Sequence, residues 1–253
     1  MDVLDLRNPL NFMHALNATS REWHLAYRRT SIFRDKVIGP PGDEPNKIYF
    51  VDEGLISAVD FAAEKADDQR ISVGLIGVSG IINSEFFAPL APNPLVYVVM
   101  EDLHGYEVDV QLARLICEVD PGSRWLFDRF NQTKLSEQFL RQSFIMRASV
   151  QQRVALHLLE TAQAVRSQDN LSITHRVVAG MLRLRRPSVS QILGEFERDG
   201  IIAPGEHGTT RILDAHKLAD LTDGTWGRIR DLWAAFHEAI EERVYGPEDA
   251  AAA

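Results

Sequence analysis

Between about Ser31 and Met100 short β-rich runs alternate with Gly, Pro and Asp. The runs are IYFV at Ile48–Val51, LISAVDF at Leu55–Phe61, ISVGLI at Ile71–Ile76 and LVYVVM at Leu95–Met100. Turn sequences separate them, PPGDEP at Pro40–Pro45 and APNP at Ala91–Pro94. Several short strands at this spacing predict an antiparallel sandwich or barrel. Near Pro121 the period changes to a helical one. From Gly122 to Met146 the apolar side chains fall on two opposite stripes: Leu126, Phe130, Leu140 and Phe144 on one face, Leu135, Phe139 and Met146 on the other. A surface helix carries one apolar stripe. Two stripes mean either a helix buried in a large core or one held between its own domain and a partner chain.

A helix-turn-helix pattern occupies Ile173–Ile202, ITHRVVAGMLRLRRPSVSQILGEFERDGII. Thr174 is placed to cap a first short helix, and Val178 with Leu182 gives it an apolar i,i+4 pair. A turn around Arg183–Arg185 follows, and Pro187 suits the first turn of a second helix, where a missing N–H costs nothing. Val189, Ile192, Leu193 and Phe196 form that helix's buried face, and Gly200 ends it. Pro187, Gln191, Gly194 and Arg198 lie on the opposite face. Next, IIAPGEHGTTRIL reads as a β-hairpin wing with Arg211 available for a backbone contact. Farther on, Trp226, Ile229, Trp233, Phe236 and Ile240 recur at steps of three and four. That seam predicts an amphipathic helix, packed on its own winged domain or serving as a second partner contact.

Charge sharpens this pattern. The net charge of −9 argues against a nucleic-acid partner when taken alone. Thr174–Gln191, however, holds four arginines and no acid, leaving −13 on the rest of the chain. Such a basic island can bind phosphate locally. Arg185 and Arg186 stand at the start of the second helix, whose N–H groups also favour phosphate. Cys117 is the only cysteine, which excludes a disulfide framework, a thiolate zinc site and a four-cysteine iron–sulfur cluster within one chain. No histidine occurs between Ser31 and Met100, so a metal enzyme on the strands lacks its ligands. Gly77–Gly80 is not a nucleophile elbow, because its second glycine comes one residue early. His24 and His104 are the candidates for a haem ligand, but scattered histidines predict nothing by themselves. No apolar run approaches the ~18 residues a membrane helix needs. The opening residues show no basic segment ahead of an apolar one, so the expected location is cytoplasmic.

Residues from about Lys47 to Leu221 resemble the Crp/Fnr family of bacterial transcription regulators. The resemblance is carried by IYFVDEGLISAV (Ile48–Val59), ISVGLIGVSGII (Ile71–Ile82), SVQQRVALHLL (Ser149–Leu159) and LRLRRPSVSQILGEFERDGII (Leu182–Ile202), in the family's order. It implies an α+β chain. Residues 1–120 would form a degenerate cyclic-nucleotide-binding-like antiparallel jelly-roll sensor, 121–147 a dimerisation helix, 148–222 a winged helix-turn-helix, and 223–253 a helical extension and tail. The implied partners are double-stranded DNA, a second copy of the chain and RNA polymerase. Two recognition helices of such a dimer enter successive major grooves about 34 Å apart.

Arg186 matches the family's recognition-helix arginine, which can donate bidentately to guanine. Ser188 stands where a hydroxyl contacts phosphate, and Gln191 at a second base-reading position, where glutamine favours adenine. Pro187 replaces the glutamate of the best-known members, and Arg183 stands where the turn is often glycine. With Thr174, His175, Arg185, Ser190 and Arg211 these residues make up the candidate DNA-facing set. Leu126, Phe130, Leu140 and Phe144 are the candidate dimerisation set. Arg153 is expected to anchor helix packing. Cyclic-nucleotide binders of the family carry a Gly-Glu pair and then an Arg beside Ser or Thr. Here Gly80 precedes isoleucine, and no Lys or Arg occurs between Arg70 and Arg114. A buried phosphodiester would have no cation, so cAMP binding by the family's mode is not expected, and the effector is unknown. No cofactor, metal site or catalytic residue is expected. The competing reading is a protein-interaction adaptor with vestigial DNA binding.

Overall fold

The computed structural model describes residues 3–4, 12–39, 44–60, 71–86, 95–169, 171, 174–205 and 209–246. The chain opens with α1 (Phe12–Thr19) and α2 (Glu22–Ala26), followed by β1 (Arg28–Ile32), β2 (Val37–Ile38), β3 (Lys47–Asp60), β4 (Ile71–Ile76), β5 (Ile81–Ile82) and β6 (Leu95–Asp109). The strands pair antiparallel in the order β1-β6-β3-β4, with β2 on β6 and β5 on β3.

Two runs expected as separate strands, Ile48–Val51 and the run starting at Leu55, are one 14-residue strand, β3. The expected break is instead a bend, because the β3–β6 register shifts between Val51 and Ile56. Gly54 makes the bend at φ +109, where an added Cβ would lie 2.5 Å from the Asp102 carbonyl oxygen. Only glycine fits such a bulge without displacing β6. The expected strand at Leu95–Met100 runs on to Asp109 for the same reason, pairing with the far side of that bend.

Helix begins earlier than the change of period at Pro121. Asp109 caps α3 (Val110–Val119) by accepting from the Gln111 and Leu112 N–H groups. Asp120 then caps the long α4 (Pro121–Ile145) through the Gly122 and Ser123 N–H groups, with Pro121 in its first turn. The remaining elements are α5 (Val150–Val165), α6 (His175–Leu182), α7 (Arg186–Arg198), β7 (Ile202–Pro204), β8 (Thr210–Ile212), α8 (Ala215–Leu221) and α9 (Thr225–Tyr245). No helix among the described residues is long and apolar enough to cross a membrane.

Among the described residues three apolar clusters hold the fold. One fills the roll between the sheet faces around Ile56, Val99 and Leu103. A second joins α1, α3 and the first half of α4 to Ile48, Phe50 and Val108, and takes in Phe236 and Ile240 of α9. The third is the core of the C-terminal domain, with Val154, Leu158, Val189, Phe196 and Leu218, and it takes in Trp226 and Ile229 of the same α9. Cys117 lies buried in the second cluster, where burial pushes its thiol up to about 12, so it is unreactive at neutral pH.

The stripe expected to dimerise faces inward in the single chain. Leu126, Phe130 and Phe144 are buried in the chain's own cores and Leu140 is partly buried against the third. A side chain already enclosed by its own domain has no apolar area left for a partner. The opposite stripe is the open one: Leu135 is 55% exposed, Phe139 62% and Met146 83%.

Candidate nucleic-acid interface

The C-terminal domain is built from its caps upward. Ser149 and Gln152 form a capping box at the start of α5: the Gln152 N–H donates to Ser149 Oγ at 3.2 Å and the Ser149 N–H to Gln152 Oε1 at 2.9 Å. One face of α5 buries Val154, Leu158 and Leu159 beneath the helix-turn-helix. Thr174 caps α6, its hydroxyl accepting from the Val177 N–H at 3.2 Å. At the turn Arg183 is left-handed, with φ +50. An arginine there costs about 1 kcal/mol relative to the glycine often found at such turns. The turn is held by the Leu184 N–H donating to the Ala179 carbonyl at 2.9 Å and by Arg153 Nη2 donating to the Leu182 carbonyl at 2.7 Å. Arg153 is therefore a packing anchor, as its place in α5 suggests.

Helix α7 starts at Arg186 with Pro187 in its first turn, and its cap residue Arg185 makes no side-chain capping bond. The first N–H groups of α7 are therefore open to a phosphate. Val189, Ile192, Leu193 and Phe196 are buried, as the periodicity requires, and Gly200 closes the helix at φ +65. On the outer face Arg185, Arg186, Pro187 and Gln191 are exposed and Ser188 is half-buried. Gln191 Nε2 donates to Glu195 Oε1 at 3.0 Å, a bond that base reading would have to break. Sequence reasoning passed over this acidic neighbour, which the i,i+4 spacing discloses.

The candidate residues divide into two groups. Arg183, Arg185, Arg186 and Gln191 cluster on the turn and the start of α7, all exposed, with the three arginines paired to no carboxylate among the described residues. His175 and Ser190 instead bond each other across the motif, Nδ1 to Oγ at 2.9 Å, and Thr174 is engaged as a cap. They support the motif's geometry. The wing pairs Ile202 with Ile212, Ala203 with Arg211 and Pro204 with Thr210, leaving Arg211 exposed. The tip, residues 206–208, lies outside the described residues, as does the 87–94 part of the stretch compared with phosphate-binding segments.

Elsewhere, His24 and His104 are exposed and His104 shares a 2.9 Å bond with Ser31. Among the described residues no group of three or more His, Cys, Asp or Glu could hold a metal ion.

A buried polar cluster joins this domain to α4. The Arg141 guanidinium meets Glu160 of α5 twice, Nη2 to Oε2 at 2.9 Å and Nε to Oε1 at 2.8 Å. Burial raises the Glu160 carboxyl and Arg141 opposes the rise. Nearby His157 is buried; burial, then the Arg141 charge, holds its imidazole down at about 4, so it is neutral.

Residues 152–221 match the Crp-like helix-turn-helix domain family. In fold the chain resembles FixK2 from Bradyrhizobium japonicum, 15% identical over 77% of this chain and 96% of that one, with a TM-score of 0.66. It also resembles a transcriptional regulator of the Crp/Fnr family from Eubacterium rectale, 16% identical over 83% and 94% with a TM-score of 0.61. A third likeness is to the c-di-GMP-responsive global regulator CLP of Xanthomonas campestris, 15% identical over 79% and 98% with a TM-score of 0.59. No curated protein matches the chain in sequence.

Proposed function

We propose, from the premise that residues 152–221 form a Crp-like helix-turn-helix domain on the fold of the Crp/Fnr regulators, that this chain is a sequence-specific DNA-binding transcription regulator acting as a homodimer on a near-palindromic operator. The observation that carries the reading is the start of α7. Exposed arginines and an uncapped helix N-terminus meet there on a face with small neighbours, the combination that lets a helix end enter a major groove. In this reading Arg186 donates to guanine, Gln191 reads the next position after releasing Glu195, and Arg183, Arg185 and Arg211 neutralise phosphates.

Selection of bound duplexes from a random library without added ligand tests it. The expected product is a near-palindrome with half-sites one helical turn apart, whose affinity falls steeply with salt. Absence of enrichment at any salt would overturn the reading. On the selected site, Arg186→Ala should cost ~1–3 kcal/mol and relax the preference at one base of each half-site. Equal weakening on every sequence would make Arg186 a phosphate contact.

The homodimer reading rests on the exposed Leu135 and Phe139 of α4 with Met146 just beyond its end, and dimers are typical of the Crp/Fnr type. RNA polymerase stands as a further partner by that kinship. The effector site is proposed not to accept cAMP in the family's way. Described strands β4, β5 and β6 carry no lysine or arginine, and Arg114, the next cation along the chain, already donates to the Phe86 carbonyl at 2.8 Å. Calorimetric titration with cAMP should give no saturable heat at micromolar ligand; a micromolar isotherm would reverse this part.

A further inference from the structure

Helix α9 lies outside the matched domain of residues 152–221 and belongs to two cores at once. Its first half is rooted in the C-terminal domain. Trp226 and Ile229 are buried there, and the Trp226 indole donates to the Val3 carbonyl at 2.8 Å. Its second half leaves that domain. Phe236 packs edge-on against Phe130 of α4 at 6.0 Å, and Ile240 is fully buried in the cluster with α1 and α4. Near the end of the helix the Arg243 guanidinium lies 5.0 Å over the Trp125 ring.

Trp233 sits between the two cores and touches both. Its indole donates to Glu137 of α4 at 3.2 Å, and the Lys134 ammonium stands 5.9 Å over its ring. At 1.5 Å per residue the 21 residues of α9 reach about 30 Å, enough to bridge the domains.

The only covalent connection from α4 to α5 is the short segment 146–149, which contains the 83%-exposed Met146. Such a link by itself would let the C-terminal domain swing. Arg147 of the link pairs with Asp223, beside the start of α9. In the clamped arrangement the outer face of α7 is open to solvent, as DNA docking requires.

We propose that α9 is an interdomain clamp, a helix rooted in the DNA-binding core whose distal half docks on the sensor-side core and holds α7 in its operator-binding orientation without an effector. This rests on the DNA-binding reading above. A protein whose competent orientation is populated only in part binds with its affinity reduced by that fraction. Clamping keeps the fraction near one, so releasing the distal half weakens operator binding while leaving each α7 intact.

The test uses the full chain carrying Phe236→Asp and Ile240→Asp, which strips the sensor-side docking and leaves Trp226 and Ile229 in place. Ile240→Asp alone is the milder variant should the pair not fold. Spin labels at Glu53→Cys on β3 and His216→Cys on α8, both exposed positions, report the interdomain distance, with buried Cys117 unreactive. Labelled chains are diluted with unlabelled ones so that distances within one protomer are read.

The wild-type background should give one narrow distance distribution and the variant a broad one. The Kd for the selected operator should rise ~10-fold or more, while that for a single half-site stays within about two-fold. An unchanged narrow distribution, with hydrogen exchange showing residues 233–245 released, would mean that the Arg141–Glu160 pair and the bond from the Val78 N–H to the Ala164 carbonyl already fix the domains, and would overturn the clamp. Unchanged or tighter operator binding would also overturn it. A wild-type chain that selects no DNA site sinks the DNA-binding reading instead, and the distances then decide whether α9 joins the domains.

Discussion

Leu135→Glu with Phe139→Glu should convert the proposed dimer to a monomer in sedimentation equilibrium at micromolar concentration, and affinity for the selected operator should fall by at least two orders of magnitude. Leu135 and Phe139 are four residues apart on α4, 55% and 62% exposed, and point away from every core of the chain. In a two-fold pairing each is buried twice. At about 1.5–3 kcal/mol for burying a whole side chain, and with a little over half of each still exposed, the four side chains contribute roughly 3–7 kcal/mol, enough to shift association by two orders of magnitude or more. Four carboxylates brought together in one apolar seam add a repulsive term. Since both side chains are largely solvated in the single chain, folding itself should be little affected, and circular dichroism should show the helix content unchanged. In the proposed dimer, dissociation would separate the two α7 helices, and the loss on a palindrome should then exceed that on a half-site. A dimer persisting in this variant would place the interface elsewhere. The same pair of substitutions on the inner stripe, at Leu126 and Phe130, would instead unfold the chain, because those side chains are in its core.

Arg141→Ala should cost about 3–5 kcal/mol of stability in urea unfolding at pH 7, the range found when one partner of a buried ion pair is removed. The pair joins α4 to α5 with little solvent on either side, Arg141 being 14% and Glu160 11% exposed. Without the guanidinium the Glu160 carboxyl is left in a site whose burial already raises it. Its pH dependence follows. A carboxyl held above its unfolded value destabilises most when it must be charged, so the deficit of the variant should shrink as the pH falls and Glu160 takes up a proton.

His157 works in the opposite direction in both proteins. Its folded value of about 4 lies below the unfolded imidazole's ~6.5, so its contribution to stability is complete above pH 6.5 and is lost as the pH falls towards 4. Arg141 also helps to hold down the His157 imidazole and the Glu137 carboxyl, so the difference between variant and wild type at each pH reports Glu160, its direct partner, together with these two, and all three make the deficit shrink as the pH falls. Replacing both partners, Arg141→Leu with Glu160→Leu, should cost far less than Arg141→Ala, since no orphaned charge remains. A full 3–5 kcal/mol loss in the double variant would show that packing, not charge burial, dominates at this position.

Local rules carried the helix-turn-helix. Thr174 as a cap, Pro187 in the first turn of α7, the buried Val189, Ile192, Leu193 and Phe196 and the left-handed Gly200 each depend on neighbours within a turn or two, so they were readable from the sequence. The sheet was readable in part. Alternation located the strands, but the continuous 14-residue β3 required Gly54 to bend against Asp102, a residue far away in sequence. Helices α1, α2 and α3 are not legible in the sequence because they are short or, like α3, apolar on more than one side: Leu115 and Val119 are exposed opposite the buried Ala113 and Ile116.

The amino-acid sequence alone determined that α4 has two apolar stripes, that the chain carries a basic island at Thr174–Gln191, and that a tryptophan-bearing helix follows the wing. Each is a matter of periodicity and charge along one segment. Which stripe of α4 faces inward was decided by tertiary structure, because periodicity gives two faces without naming the neighbours that cover them. The core of α1, Phe50 and Phe127 claims Phe130, and the C-terminal core claims Phe144. The same holds for α9. Its seam of Trp226, Ile229, Trp233, Phe236 and Ile240 is uniform in sequence, and only the packed structure divides it between two domains, since burial depends on which surfaces lie within a few ångströms and not on spacing along the chain.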